Sequence, residues 1–84
     1  MKLPRDVSGD DLVRLLRKFG YQATRQTGSH MRVTSRFKTV EHHVTIPAHK
    51  QLRVGTLAEI LSDVALYLGV AREDLIRQLF GPSR

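Results

Sequence analysis

Residues 28–46, GSHMRVTSRFKTVEHHVTI, decide the fold. Gly28 adopts positive φ without steric cost and marks a turn that launches a strand. From Ser29 to Ser35 the side chains alternate, with His30, Arg32 and Thr34 on one side and Met31, Val33 and Ser35 on the other. Arg36 to Thr39 is a polar connection. Glu41 to Ile46 then alternates again, with His42, Val44 and Ile46 in one phase and His43 and Thr45 in the other. Two half-apolar strands joined in this way predict an antiparallel pair. Met31, Val33, Val44 and Ile46 turn to a core, and His30, Arg32, Thr34, His43 and Thr45 occupy a face left open.

Working upstream, Tyr21 to Gln26 alternates loosely and reads as an edge strand, joined to the next by Thr27-Gly28. Before it, Leu12, Leu15, Leu16 and Phe19 fall at helical spacing, with Ser8 as N-cap, Asp10 and Asp11 in the first turn and Gly20 as the stop. The first helix therefore spans about Ser8 to Phe19, after a short lead-in from Met1 to Val7. Downstream, Pro47 ends the third strand and opens a loop to Gly55 that carries His49, Lys50 and Arg53. Thr56 followed by Glu59 reads as a capping box for a second helix, about Leu57 to Leu68, with Leu57, Ile60, Leu61, Val64 and Leu68 on one face and Gly69 as its end. A last helix, about Arg72 to Phe80, stops at Gly81-Pro82. The predicted architecture is α+β: an α-β-β-β-α order with a three-stranded antiparallel sheet and an added C-terminal helix, in one domain over residues 1–84.

Charge is unevenly placed. Between Leu12 and Ala58 stand nine basic residues (Arg14, Arg17, Lys18, Arg25, Arg32, Arg36, Lys38, Lys50 and Arg53) against one acidic residue, Glu41; from Glu59 onward three basic residues face four acidic ones. A localised positive field suits a polyanion, nucleic acid first, or an acidic protein partner. The chain has no cysteine, which excludes disulfides and thiolate-based zinc sites, and no apolar run of membrane-spanning length. A soluble, cytoplasmic protein with no membrane association is the expectation.

The chemistry narrows by elimination. His42 and His43 are neighbours on a strand and face opposite sides, so they make a poor metal pair, and no metal or other cofactor is expected. Ser29 beside His30 fails as a nucleophile–base pair by the same alternation. Phosphate-cradling glycine loops are absent. Metal-free RNA chemistry survives, because RNA carries its own nucleophile in the 2′-hydroxyl. A strand-borne imidazole then serves as general acid or base while a nearby cation stabilises the charged phosphorane. Taken from spacing alone, His30 reads sooner as a surface histidine that bonds the turn or contacts phosphate than as a catalytic one.

In this order the chain resembles the HicA family of bacterial mRNA-interferase toxins, which have a double-stranded-RNA-binding-domain-like fold. The resemblance rests on Ser8-Gly9 with the leucines of the first helix, Phe19-Gly20-Tyr21, Arg25-Gln26-Thr27-Gly28-Ser29-His30, Val44-Thr45-Ile46-Pro47 with His49, and Gly55-Thr56-Leu57 with Ile60-Leu61. It implies that His30 is the catalytic histidine of a metal-independent endoribonuclease acting on mRNA, and that a HicB-type antitoxin neutralises the toxin by covering the site. Arg32 then lies near the phosphate, and Arg25, Ser29, Lys50 and Arg53 hold RNA. The stretch from Val64 to Phe80 is longer than in the shortest family members, which leaves its extra helix for antitoxin binding or for dimerisation within the antitoxin complex. His42, His43 and His49 receive no role from the family motif. Two readings from other classes compete: a non-catalytic RNA-binding module, and a basic surface that docks an acidic protein.

Overall fold

The computed structural model describes residues 3–81, so Met1, Lys2 and the expected stop at Pro82 lie outside the described residues. Its elements are α1 (Gly9–Leu16), β1 (Gln22–Thr27), β2 (His30–Ser35), β3 (His42–Pro47), α2 (Val54–Leu68) and α3 (Arg72–Phe80). The sheet is antiparallel with strand order β1-β2-β3, so β2 is central. This is the α+β order expected from the sequence. Among the described residues no single helix is long and apolar enough to cross a membrane.

Local chemistry sets α1. Ser8 is its N-cap, and a reciprocal box closes the start: the Asp11 backbone N–H donates to the Ser8 hydroxyl at 2.9 Å, and the Ser8 N–H donates to the Asp11 carboxylate at 3.2 Å. Leu12 and Leu16 are fully buried, each contributing roughly 1.5–3 kcal/mol of apolar burial, which fixes the inward face. The last turn tightens into a 3₁₀ segment, Arg17–Phe19, before Gly20 turns the chain at φ 83°. The Ser8 backbone N–H, then the Ser8 side chain, with help from Arg14, hold the Asp11 carboxyl below its ordinary value of 3.8. A lowered value in the folded state stabilises the fold above the unfolded-state pKa and is lost as pH falls through it. Ser8→Ala should lower stability by about 1 kcal/mol in urea unfolding at neutral pH. Asp11→Asn should destabilise at pH 7 but converge on the wild type below pH 3.8; equal curves at pH 7 would contradict the cap's role.

The core lies between the sheet and the helices. Met31, Val33, Val44 and Ile46 are buried on the inner face of β2 and β3, as the alternation predicts, against Leu12 and Leu16 of α1 and Leu57, Leu61 and Val64 of α2. Leu75, Ile76 and Leu79 of α3 complete it.

One expectation needs correction. The Thr56–Glu59 capping box does not form, because α2 begins earlier, at Val54, with Arg53 as N-cap and no side-chain cap. The physical reason is tertiary. Leu52 is 3% exposed and its N–H donates to the Val7 carbonyl, so the chain is pinned just before the helix and turns into it at once. Gly55, a poor helix former, is carried into the first turn, with the Leu57 N–H bonded to the Arg53 carbonyl.

Candidate nucleic-acid interface

The open face of the sheet is built by β-register. His30 lies opposite Thr27 on one side and Pro47 on the other, Arg32 lies between Arg25 and Thr45, and Thr34 lies between Gln22 and His43. Simple alternation in β1 would send Arg25 to the same face as Ala23, away from Arg32. A bulge between Ala23 and Arg25 shifts the phase, so Arg25 comes directly across from Arg32. Like charges directly opposed on a sheet destabilise it. The pair persists on an exposed face, where a bound anion would neutralise it.

Arg25, Thr27, His30, Arg32 and Thr45 line a depression of ≈190 Å³. Thr24, Arg25, Arg32, Thr34, Arg36, Glu41 and His43 line a neighbouring one, and the two share Arg25 and Arg32. A basic groove therefore runs along the open face with His30 toward one end. Of the residues singled out in the sequence, the fold brings together His30, Arg25 and Arg32. Ser29 is in the turn, where its backbone carbonyl accepts the Ala48 N–H at 2.7 Å. Arg53 lines a separate depression with Arg5 and Gln51, and Lys50 is exposed in the loop after β3. Thr24, Arg36 and Glu41 belong to the groove although their sequence pattern does not single them out as site residues.

The loop after β3 is held against α1. The Gly9 N–H donates to the His49 carbonyl at 2.9 Å, and a Cβ at Gly9 would stand 2.1 Å from the Pro47 carbonyl oxygen. This close approach explains the glycine, and it fixes Pro47, the residue across from His30.

His42 and His43 point to opposite faces, as expected. His42 is on the inner side, where its Nε2 lies 3.2 Å from the Asp63 carboxylate and its Nδ1 accepts from the Tyr21 hydroxyl. Its ring stacks on Tyr67 with centroids 4.7 Å apart. Burial, with Tyr67 and Asp63 nearby, pushes the Tyr21 phenol above its ordinary pKa, which keeps it a donor. The Tyr67 hydroxyl donates to the Val40 carbonyl and accepts the Lys38 N–H, so this cluster steadies the β2–β3 connection beside the groove. No local sequence signal announces it, since Tyr21, His42 and Asp63 are distant in the chain. Tyr21→Phe leaves the His42 acceptor unpaired and should cost about 1 kcal/mol in thermal unfolding; an unchanged midpoint would show that the bond contributes nothing.

Fold and face together define a small α+β protein whose sheet presents a basic, histidine-bearing groove. The family model described as the HicA toxin of bacterial toxin-antitoxin matches residues 9–66. The chain belongs to the HicA toxin family; it is a toxin of a toxin–antitoxin system and has a cognate antitoxin as partner. α3 lies beyond the matched residues. No curated protein and no solved structure matches the chain.

Proposed function

We propose that the chain is a metal-independent endoribonuclease that cleaves mRNA in the cytoplasm, with His30 as general acid or base, and that a HicB-type antitoxin inhibits it by covering the groove. The observation that carries this reading is the exposed His30 set in one depression with Arg25 and Arg32 on a basic sheet face. In the reaction, the 2′-oxygen forms a bond to phosphorus and the P–O5′ bond breaks. A base takes the 2′-hydroxyl proton, and an acid protonates the departing 5′-oxygen. His30 supplies one of these transfers. Arg32 and Arg25 stabilise the extra charge on the phosphorane. Ser29, Lys50 and Arg53 extend RNA contacts from the turn and the loop after β3, through the phosphate backbone.

Expression in a bacterial host tests the reading: wild type should arrest growth and deplete a reporter mRNA, and a folded His30→Ala variant should do neither. Intact mRNA from a well-expressed, folded wild type would favour the non-catalytic module instead. The protein-docking alternative separates on salt, because phosphate contacts give RNA affinity that falls steeply as salt rises.

A further inference from the structure

Cleavage takes two proton transfers and His30 supplies one, so what stands beside His30 at the end of β3 bears on the chemistry. Past Pro47 the chain stays extended. The Ala48 N–H donates to the Ser29 carbonyl at 2.7 Å, toward β2. On the opposite edge the Pro47 carbonyl abuts Gly9, and the His49 carbonyl accepts the Gly9 N–H at 2.9 Å. In an antiparallel strand the polar groups of successive residues point to alternate edges. The order away, toward, away over Pro47, Ala48 and His49 therefore carries the phase of β3 through residue 49. Side chains alternate with the same period. His49 thus shares the phase of His43, Thr45 and Pro47, which lie opposite Thr34, Arg32 and His30 on the open face, and it is exposed as His30 is.

Register also sets the distance. His30 lies across from Pro47, so His49 is its diagonal neighbour, roughly 8 Å away between Cα atoms. Two imidazoles at that spacing reach one phosphodiester from two sides. His43, the other histidine of this face, lies opposite Thr34, roughly 14 Å from His30, and is hydrogen-bonded to the Thr34 hydroxyl at its own end of the strand. It does not share a scissile phosphate with His30. The two pins on the loop use only the backbone of Ala48 and His49. Any residue at position 49 would satisfy them, so they position the imidazole without employing it.

We propose that His49 is the second proton-transfer group of the cleavage, acting on the oxygen that His30 does not serve; the proposal rests on the ribonuclease reading. Attack and departure at phosphorus are roughly in line, so the two oxygens stand on opposite sides of the phosphate and call for one group on each. As the 2′-oxygen bonds to phosphorus and the P–O5′ bond breaks, one imidazole takes the 2′-hydroxyl proton. The other, entering as imidazolium, gives a proton to the departing 5′-oxygen. The protein's proton count is unchanged, and exchange with water returns each ring to its starting state. Arg25 and Arg32 stay with the non-bridging oxygens.

The test compares wild type, His30→Ala and His49→Ala, each folded by circular dichroism, on an RNA that wild type cuts at one mapped position. His49→Gln replaces the alanine variant if that one does not fold. The single-turnover rate of the His49 variant should fall by about 10²–10⁴-fold with RNA affinity nearly unchanged. The same RNA is then made with sulfur in place of the bridging 5′-oxygen at the cut, a leaving group that departs as thiolate without needing a proton. Only one of the two histidine variants, the one that lacks the acid, should regain a rate near that of wild type. A wild-type rate for the His49 variant on ordinary RNA, a loss confined to affinity, or recovery of both variants or of neither on the sulfur-bridged RNA overturns the proposal. If wild type cleaves and His30→Ala does not while any of these results holds, the proposal falls alone; if wild type cleaves no RNA, the ribonuclease reading falls and takes the proposal with it.

Discussion

His30→Ala should lower the cleavage rate of a defined RNA by about 10²–10⁴-fold, the range expected for loss of one positioned proton-transfer group. RNA affinity should change little, because Arg25 and Arg32 keep their positions across the β1–β2 pair. His30 is exposed at the start of β2, and its removal opens no cavity in the core. Stability should therefore stay at the wild-type level, which separates a chemical loss from a folding one. A single-turnover rate and a filter-binding Kd, measured on the same protein, check both halves. Equal rates for variant and wild type would remove His30 from the chemistry. A large loss of affinity with an unchanged bound-state rate would make it a phosphate contact instead, whereas Arg25→Ala or Arg32→Ala should lower both affinity and bound-state rate, since the arginines hold phosphate and stabilise the phosphorane.

Gly9→Ala should be the most damaging small substitution away from the groove. The added Cβ meets the Pro47 carbonyl oxygen at 2.1 Å and the Met31 Cε at 3.1 Å. The methionine end can move aside; the backbone carbonyl cannot without shifting the loop. Overpacking of this kind costs about 1–3 kcal/mol, which for a domain of this size lowers the melting temperature on the order of 10 °C. The displacement also reaches the site, because Pro47 pairs with His30. Cleavage should fall even at temperatures where the variant is folded. A melting temperature within a degree or two of wild type would mean that the loop and α1 separate more easily than the Gly9 to His49 hydrogen bond implies.

Legibility in the sequence followed the range of the interactions. Ser8 and the leucines at 12 and 16 specify α1 by contacts within a few residues, and period-two alternation exposes the inner face of β2 and β3, where Met31, Val33, Val44 and Ile46 are all buried. α2 starts ahead of its local signal, because Thr56 and Glu59 carry a good cap pattern, whereas the pinning of Leu52 to Val7 is a long-range event that no window around the helix contains. In the groove, His30, Arg32, Thr34, His43 and Thr45 follow from strand phase alone. Arg25 does not, because a bulge inverts the phase of β1 between Ala23 and Arg25. Glu41 and Arg36 belong to the connection between strands, and only the fold shows that their ion pair closes one end of the groove. His42 illustrates the same limit on the inner side, since its partners come from two distant places in the chain, Tyr21 from the flank of β1 and Asp63 and Tyr67 from α2.

The most direct test of the central claim is cleavage of two RNAs by the purified wild-type chain, one with ribose throughout and one with 2′-deoxyribose at the mapped cleavage position. Attack by the RNA's own 2′-oxygen predicts that the first is cut to a 2′,3′-cyclic phosphate and a 5′-hydroxyl and that the second stays intact at that position. Equal cutting of both would contradict the account, since the nucleophile would then come from elsewhere and His30 would lose the role assigned to it.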